Sequence, residues 1–551
     1  MLHKLKIKNF KPFGEIQEVR LAPITLIYGP NSSGKSSIIQ SLLMMSQTLN
    51  GRLPDDRTEL ITRGRNIDLG NFASVIHKHN QANTLEFEYE LFEDQFFRNP
   101  FGKGAWHKSM HGLPLKKIAL RFNAGVYTSK HKSPILSSFG FQFYGEHFGD
   151  EEFDFDRIKN ESIKNNIKIT ADRYSKIGVF GANPSDEQDD SNWSDEILFN
   201  IRNKKTTPEL LKILEKFYEF EPAAAKWKPF AKAKSEIEKK EQWFRRDTEI
   251  KNAISNIVLR RDRQDSRANR YLPSGMYGHE GNAGALSKSP LELLPRMLRA
   301  IDRELQEIIG GLTYLGPLRS HPARYYSVEG VPGNSVGSQG EQIVQILFND
   351  MSRRDRPSIL SRLNLYLDQF EIPYILDIKN IGDEITGDIL VLSLIDKRTM
   401  VRVGPSDVGF GIGQLLPILI EGLLIKERVS DRILCVEQPE IHLHPRLQAA
   451  LADFFIDTGP LSHESKSGKR IFGSGAQWIL ETHSEALMLR LQRRIREKKI
   501  SNQDVSVLYV DPRGDKGSTI LELRLDEDGE FIDLWPDGFF VESLAEIMGG
   551  R

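Results

Sequence analysis

The chain has 551 residues, more than one hydrophobic core usually supports, so two or more structural units are expected. Its 75 Lys and Arg residues balance 76 Asp and Glu residues, which excludes a global attraction to nucleic acid or to an anionic membrane. A single cysteine, Cys435, excludes an internal disulfide framework and fits a reducing cytoplasm, and no apolar run reaches the roughly 18 residues that a membrane helix needs.

Apolar spacing predicts strands at the front of the chain, followed by a helix. Alternation through residues 5–10 and 16–21 is typical of two half-buried strands. The short apolar run at residues 24–28 predicts a buried strand, and the spacing at residues 38–43 predicts a helix.

The middle of the chain has a different character. Residues 85–200 carry strand-like stretches rich in Phe and Tyr, which predict a β-rich lobe. Residues 206–270 are highly charged and predict helices, and the glycines within residues 273–286 predict a mobile loop.

The rear of the chain returns to short apolar runs. Residues 433–436 and 478–480 predict buried strands, residues 415–424 predict an apolar helix, and residues 506–510 and 519–525 predict strands separated by a glycine-containing turn. Both ends therefore contribute to one parallel-sheet core, and the fold class is predicted as α/β, a mixed sheet with helices and a large insertion. The predicted segments are an N-terminal part of the core at 1–84, an insertion at 85–310 and a C-terminal part at 311–551.

The clearest motif is a phosphate-binding loop between the predicted strand 24–28 and the helix after it. It fits G-x-x-x-x-G-K-[ST] in full, with Gly29, Pro30, Asn31, Ser32, Ser33, Gly34, Lys35 and Ser36. Glycines let backbone N–H groups curl around a β-phosphate, and the N-terminus of the following helix adds its positive dipole end. Lys35 would reach the β- and γ-phosphates and the Ser36 hydroxyl would bind Mg²⁺, so the motif predicts a site for ATP and Mg²⁺.

The second half of such a site is a carboxylate at the end of a neighbouring strand, which holds the Mg²⁺ shell. Glu437 follows the predicted strand 433–436 and supplies it. His483 comes just after the predicted strand 478–480, and a glycine-rich stretch at residues 409–414 precedes the apolar helix.

In this order the features resemble the ABC ATPases, particularly the SMC-like and OLD-like, AAA-type heads of DNA-repair and phage-defence proteins. The resemblance rests on residues 5–11, the phosphate loop, the signature at 410–414, Glu437 and His483. It implies that two heads pair, so that the signature of one caps the γ-phosphate bound to the other. The site residues that it adds are Lys11, Ser37, Gly411, Gly413 and Gln414, with His483 as the switch histidine beside the γ-phosphate.

A bacterial subgroup is more similar still. It is marked by YLGPLR at residues 314–319, EQPEIHLHP at residues 437–445 and WPDGFF at residues 535–540. The subgroup includes the PtuA ATPases of Septu-type anti-phage defence systems, also found as retron effector components. The resemblance covers about residues 1–80 and 310–551. It implies a homo-dimer of heads or a higher homo-oligomer, a separate nuclease partner of the HNH type, and contact with DNA or retron RNA–DNA.

One position departs from the family pattern. Most ABC ATPases have a glutamate directly after the Walker B acid, where this chain has Gln438. An amide can orient water but cannot accept its proton, so hydrolysis is expected to be slow. Glu440 could accept the proton instead, or the ATP-bound dimer could persist as a sensor. The purely structural alternative is that Glu440 is a solvated loop acid.

Weaker signals have ordinary explanations. His442 and His444 could form a metal pair, but no third ligand is evident and the position matches the D-loop of ABC heads. Asn71 lies where these proteins have the Q-loop, in which this chain has no glutamine. The arginine-rich runs at 260–270 and 490–499 are interpreted as solvated faces, with nucleic-acid contact as the minority reading.

The favoured hypothesis is a cytoplasmic regulatory ATPase of a defence complex that leaves cleavage to a partner. Only 68 residues follow His483 (551 − 483), and they lack an acidic metal-binding cluster. The alternative is an SMC-like DNA-repair ATPase that binds DNA directly, which would need a long coiled coil or a basic groove. A membrane-transporter subunit is disfavoured by the length of the insertion.

Overall fold

The computed structural model describes most of both chain ends and parts of the middle. The described residues are 1–51, 59–64, 66–92, 115–128, 131–143, 153–157, 198–201, 258–260, 275–276, 298, 301–328, 333, 335–352, 356–426, 432–464, 470–514 and 516–536.

The described strands, in chain order, are β1 Leu2–Lys8, β2 Gln17–Arg20, β3 Ile24–Tyr28, β4 Leu85–Leu91, β5 Leu115–Thr128, β6 His131–Phe143, β7 Phe153–Arg157, β8 Leu198–Ile201, β9 Val258–Arg260, β10 Gly275–Met276, β11 Thr313–Leu315, β12 Tyr326–Ser327, β13 Tyr374–Asn380, β14 Ile389–Asp396, β15 Arg402–Val403, β16 Arg432–Glu437, β17 Ser462–Glu464, β18 Arg470–Phe472, β19 Ala476–Glu481, β20 Val505–Asp511 and β21 Thr519–Glu522. The α-helices are α1 Lys35–Asn50, α2 Phe72–Val75, α3 Ile343–Met351, α4 Ile359–Gln369, α5 Phe410–Lys426, α6 Pro445–Thr458 and α7 Glu485–Arg496.

The chain divides into two compact units. The first comprises residues 1, 12–43 and 311–551, and the second comprises residues 2–11 and 44–310. The predicted segments share the boundary near residue 310 but divide the front of the chain differently, and they stay a prediction.

The first unit is built on a six-stranded sheet with the order β11-β16-β19-β3-β20-β21. The first five strands are parallel, and β21 is antiparallel to β20. All five residues of β3 are buried, as expected for an apolar strand of a parallel sheet covered on both faces. Strand β3, from the front of the chain, thus lies between β19 and β20, which come from its rear. This arrangement confirms the predicted α/β class and the core shared by both chain ends.

The core of this unit forms where helices pack on the sheet. The apolar residues of α5 are buried from Leu415 to Leu423, and Trp478 of β19 is fully buried against Phe454 and Phe455 of α6. The indole N–H of Trp478 donates to the Thr458 hydroxyl at 3.2 Å, so its polar atom is satisfied.

An aromatic contact ties a late segment of the chain to β3. Trp535 packs edge-on against Tyr28, the last residue of β3, and against Tyr509 of β20, with ring centroids 5.5 and 6.3 Å apart. The Tyr28 hydroxyl donates to the Ser484 carbonyl oxygen at 2.9 Å. Tyr28 is therefore held both through its ring and through its hydroxyl.

The second unit contains an antiparallel sheet that runs β10-β9-β8-β7-β6-β5-β4-β1. Strands β4 to β8 confirm the prediction of β structure at 85–200 within the described residues. The predicted helices at 206–270 and loop at 273–286 lie outside the described residues, except at β9 and β10, where those predictions were wrong. There Val258 and Leu259 favour extended structure, and β9 pairs with both β8 and β10.

No described helix is long and apolar enough to cross a membrane.

Candidate nucleotide site

The loop after β3 adopts a backbone that requires glycine at two points. The φ angles of Gly29 and Gly34 are 141° and 106°. A Cβ atom on Gly29 would lie 2.6 Å from the Val510 carbonyl oxygen, and one on Gly34 would lie 2.5 Å from Cγ of Pro12. Both glycines of the motif are therefore fixed by conformation and by close packing.

Lys35 is buried and folds back onto its own loop. Its Nζ donates to the carbonyl oxygens of Gly29 and Pro30, both at 2.9 Å. Burial lowers the pKa of Lys35, and the charges of Glu481 and Glu440 oppose that effect. Next to it the buried Ser33 hydroxyl has no hydrogen-bond partner among the described residues. An anion in the loop would offer acceptors to both groups.

Two buried carboxylates lie side by side at the end of the sheet. Glu437 and Glu481 end the adjacent parallel strands β16 and β19 in register, and their exposed fractions are 9% and 6%. Burial, and then the charge of Glu481, raise the pKa of Glu437 to about 7. Burial likewise raises the pKa of Glu481, although a hydrogen bond with the Ser36 hydroxyl opposes the rise.

This oxygen-rich arrangement fits a divalent cation. Two buried carboxylates repel each other when both are charged, and a cation beside them removes that cost. Carboxylate and hydroxyl oxygens are the ligands that Mg²⁺ prefers, with substrate phosphates completing the shell. Ser36, Glu437 and Glu481 are therefore residues that could hold it. The described parts of the chain contain no cluster of three or more acidic, His or Cys side chains suited to a metal, so His442 and His444 gain no support as a metal pair.

Two residues beside Glu437, Tyr314 and Arg319, belong to the YLGPLR segment, to which the sequence alone assigned no role. The Tyr314 hydroxyl donates to Oε1 of Glu437 at 3.1 Å, and Nη2 of Arg319 donates to the Glu437 carbonyl oxygen at 2.9 Å. Arg319 is 4% exposed, and its Nε and Nη1 find no hydrogen-bond partner among the described residues. Burial lowers the pKa of Arg319 to about 10. The signal that could have found them is their place on and just after β11, since Tyr314 lies within that strand, the neighbour of β16, and Arg319 follows it.

Glu440 is engaged by the segment that follows β19. Its Oε2 accepts a hydrogen bond from the Thr482 hydroxyl and its Oε1 accepts one from the His483 backbone N–H, both at 2.7 Å. The carboxylate is thus committed to positioning His483, which disfavours the reading of Glu440 as a solvated loop acid.

Gln438 and His483 lie at the ends of the same two strands. Gln438 has a positive φ of 46°, and its backbone N–H donates to the Glu481 carbonyl oxygen at 2.7 Å. His483 is half-buried, and burial and then the charge of Lys35 lower its pKa, which favours a neutral imidazole near pH 7.

The glycine-rich signature forms the first turn of α5 and packs against other parts of the same unit. A Cβ on Gly411 would lie 2.8 Å from the His442 carbonyl oxygen, and one on Gly413 would lie 3.0 Å from Pro322. Gln414 is 2% exposed, and its Nε2 donates to the Arg319 carbonyl oxygen at 3.2 Å. The signature helix thus contacts the segments that follow both β16 and β11.

The remaining predicted residues have the following places. Asn31 and Ser32 are exposed in the phosphate loop, and Ser37 is buried, with its N–H donating to the Gly34 carbonyl oxygen at 3.0 Å. Lys11 belongs to the second unit, where its N–H donates to the Val75 carbonyl oxygen at 2.8 Å and burial lowers its side-chain pKa. Asn71 caps α2, and His444 caps α6.

The arginine-rich run at 490–499 is engaged in ion pairs. Arg490 and Arg494 both contact Asp453 of α6, and Arg493 contacts Glu497. These pairs support its interpretation as a structural, solvated face. The run at 260–270 lies outside the described residues apart from the backbone of Arg260.

A phosphate loop on the central strand of a parallel sheet, beside carboxylates that end the adjoining strands, defines a P-loop ATPase head. The chain belongs to the AAA ATPase domain family, whose sequence profile matches residues 1–488. Membership of this family implies a nucleotide-binding ATPase.

Individual relatives are distant. The chain is 37% identical over 57 residues to the DNA replication and repair protein RecF of Chloroflexus aggregans, a match that covers 10% of this chain and 14% of that protein. Among solved structures, an Smc head domain bound to the C-terminal domain of ScpA, from Pyrococcus furiosus, is 12% identical with a TM-score of 0.37, over 100% of this chain and 98% of that one. The SMC head domain from Thermotoga maritima is 10% identical with a TM-score of 0.32, over 95% and 99%. Likenesses this low carry no functional meaning.

Proposed function

We propose that this chain binds ATP with Mg²⁺ at the Lys35 loop and hydrolyses the nucleotide slowly. The observation that carries the proposal is the convergence of that loop with Glu437 and Glu481 at the carboxyl ends of three neighbouring parallel strands, β3, β19 and β16. The orphaned Ser33 hydroxyl and the pair of buried carboxylates support it, because an anion and a cation side by side would satisfy both.

Each residue of the site has a role in this proposal. The Lys35 ammonium leaves the loop carbonyls to bind the β- and γ-phosphates, which the backbone N–H groups of residues 31–37 surround. Ser36 and Glu437 would hold Mg²⁺, which would neutralise charge on the phosphate oxygens. Gln438 orients the attacking water without accepting its proton, and Glu440 positions His483 towards the γ-phosphate. Slow turnover follows because the residue after Glu437 is an amide.

We further propose that two copies pair around two ATP molecules. Gly411 and Gly413, in the first turn of α5, would face the nucleotide of the second copy through backbone N–H groups. Gln414 would act indirectly, since its amide is bound to the Arg319 carbonyl within its own unit. The sequence resemblance to ABC heads supports this pairing.

In the cell, we propose that the ATPase is the sensor or regulatory subunit of an anti-phage defence complex and controls a separate nuclease, of the HNH type. The support is the resemblance of residues 314–319, 437–445 and 535–540 to Septu-type ATPases. The competing function is a DNA-repair ATPase that binds DNA directly, for which the short RecF match is the relevant observation. Stimulation of ATP hydrolysis by DNA alone would favour the repair function.

The test of nucleotide binding is Lys35→Ala. The substitution removes the only cationic side chain that the proposal places on the phosphates, so affinity for a fluorescent ATP analogue should fall about 100-fold or more, equivalent to about 2.7 kcal/mol. The matched control is Lys499→Ala, at an exposed position, which should bind like the wild type. Equal affinity of the Lys35 variant, with an unchanged unfolding temperature, would remove the basis of the proposed function.

A further inference from the structure

Tyr314 contacts a carboxylate of the nucleotide site, yet the proposed catalytic cycle gives it no role. It lies in β11, the edge strand beside β16, and its register partner in the parallel ladder is Cys435. Residues two apart on a strand share a face, so Cys435 and Glu437 point to the same side of the sheet. Tyr314, beside Cys435 on that side, reaches forward to the carboxylate that ends β16.

The contact engages one oxygen of Glu437 and leaves the other. The Tyr314 hydroxyl donates to Oε1 of Glu437 at 3.1 Å. A phenol has one proton to donate and an ionised carboxylate only accepts, so the direction of the bond is fixed. The hydrogen bonds among the described residues engage Oε1 and the backbone carbonyl oxygen of Glu437, which leaves Oε2 available to a cation. The bond therefore determines how the carboxylate is turned.

We propose that Tyr314 is a positioning residue of the Mg²⁺ site, whose hydroxyl holds Oε1 of Glu437 and so presents Oε2 to the metal or to a water bound to it. Carboxylates that ligate metals are themselves hydrogen-bonded, and these partners orient them. The inference rests on the proposed function, because it presumes that the Lys35 loop carries a metal–nucleotide complex. It adds to that function a residue that acts on metal binding without contacting the metal.

A different role for Tyr314 would be to fasten the three-residue edge strand β11 to the sheet. Strands β11 and β16 are already joined by their ladder and by the bond from Arg319 to the Glu437 carbonyl oxygen. Both of those contacts end on backbone groups, whereas the Tyr314 hydroxyl bonds the side chain that the cation needs. Loss of a residue that orients a metal ligand weakens metal binding, whereas loss of a strand fastening lowers stability and leaves the metal affinity of the folded protein unchanged.

The experiment uses the full chain, in excess over a non-hydrolysable ATP analogue so that all of the analogue is bound, and measures Mn²⁺ binding from the EPR signal of the free ion. Tyr314→Phe keeps the ring and removes only the hydroxyl. It should weaken Mn²⁺ binding about 10- to 100-fold, and analogue binding in EDTA should stay at the wild-type level. Tyr326→Phe is the matched control, because it also removes a phenol hydroxyl, one that accepts from the Ala323 N–H in the same segment. It should bind Mn²⁺ like the wild type.

A second measurement shows whether Tyr314 acts through Glu437. In a Glu437→Ala background the carboxylate that Tyr314 positions is gone, so adding Tyr314→Phe should change Mn²⁺ affinity by less than about twofold. A further loss as large as the one in the wild-type background would place the effect of Tyr314 elsewhere and overturn the inference.

The outcomes separate this inference from the proposed function. Mn²⁺ binding of Tyr314→Phe at the wild-type level, or a loss of the same size in Tyr326→Phe, overturns the inference. Failure of the wild type to bind the analogue at all overturns the proposed function instead. Should the Tyr314 variant not fold, a crystal of the wild type with Mn²⁺ and the analogue decides by anomalous scattering. A Tyr314 hydroxyl within about 3.5 Å of a Glu437 carboxylate that holds the ion, directly or through water, supports the inference, and a more distant hydroxyl or an ion held elsewhere overturns it.

Discussion

In the proposed mechanism, Gln438 occupies the position at which the ABC ATPases that the sequence resembles carry their proton acceptor. Its backbone is fixed by the bond to the Glu481 carbonyl oxygen, and its φ of 46° places it at a tight turn directly after β16. Apart from Glu437, the nearest carboxylate along the chain is Glu440, which already accepts two hydrogen bonds from the segment after β19. In the proposed mechanism, the amide of this single residue therefore sets the rate of hydrolysis.

Gln438→Glu should speed ATP hydrolysis if the missing base limits turnover. A positioned general base contributes about 10²- to 10⁴-fold, and the substitution restores one without changing side-chain length. Turnover is measured as phosphate release with saturating ATP and Mg²⁺. Gln438→Ala serves as the comparison and should stay at or below the wild-type rate. An unchanged turnover number in the glutamate variant would place the limiting step elsewhere, such as opening of a paired, ATP-bound state.

Single residues were predictable where one local pattern specifies them. Lys35 and Ser36 belong to a complete motif, and Glu437 directly follows a recognisable apolar strand. Glu481 was missed although it occupies the equivalent place on β19. Its place beside the phosphate loop comes from its register with Glu437 and with Ile27 of β3, and both are contacts between residues far apart in the chain.

The segment after β11 links two further elements, β16 and α5, through one residue. Arg319 donates to the carbonyl oxygen of Glu437 at the end of β16, and its own carbonyl oxygen accepts from Gln414 of α5. The helix α5 and the strand β16 are thus joined through Arg319, by its backbone carbonyl on one side and by its guanidinium on the other. Burial of a charge at this place is tolerated because Glu440 and Glu437 lie near it.

Arg319→Ala should destabilise the protein by about 1–3 kcal/mol, because it leaves the Glu437 carbonyl oxygen without its donor and removes a buried positive charge from beside the carboxylates. The free energy of unfolding in urea measures the effect. Arg324→Ala is the control from the same segment. Its side chain is 77% exposed in an ion pair with Asp407, and its loss should cost no more than about 0.5 kcal/mol. Similar losses for both variants would contradict the linking role.

Elements were predictable from apolar runs, but their partners were not. The runs at 24–28, 433–436 and 478–480 all lie in strands of the central sheet, because short continuous apolar runs bounded by turns favour buried strands. Nothing in their composition says that β19 lies between β3 and β16. Strand β9 was missed because three extended residues inside a charged stretch gain their stability from pairing with β8 and β10.

For the molecule as a whole, the sequence predicted a core divided between the chain ends, and the six-stranded sheet confirms it. The reason is that the phosphate loop fixes one strand, while the carboxylate it needs lies about 400 residues later, so the two must meet. The arrangement of the 85–310 segment was harder to predict from the sequence, because no motif in it requires a particular partner elsewhere in the chain.

At this scale we expect nucleotide to change the assembly. If the two-head pairing is correct, a non-hydrolysable ATP analogue with Mg²⁺ should double the mass of the purified chain by light scattering, since each nucleotide bridges two copies. Lys35→Ala should keep the mass seen without nucleotide. The same measurement with the protein of a neighbouring nuclease gene tests the proposed regulatory complex. A mass that stays the same when the analogue is added would argue against pairing. Nucleotide binding itself is tested separately, by the Lys35→Ala affinity measurement.

Trp535, late in the chain, packs against the residue that precedes the phosphate loop. The ring of Tyr28 rests on it, and the next residue along the backbone is Gly29, where the loop begins. Moving Trp535 would remove its ring contact with Tyr28, which one peptide bond joins to Gly29 of the phosphate loop. A ligand or substitution that displaced Trp535 would therefore alter the packing of the residue that precedes the loop, without touching the loop itself.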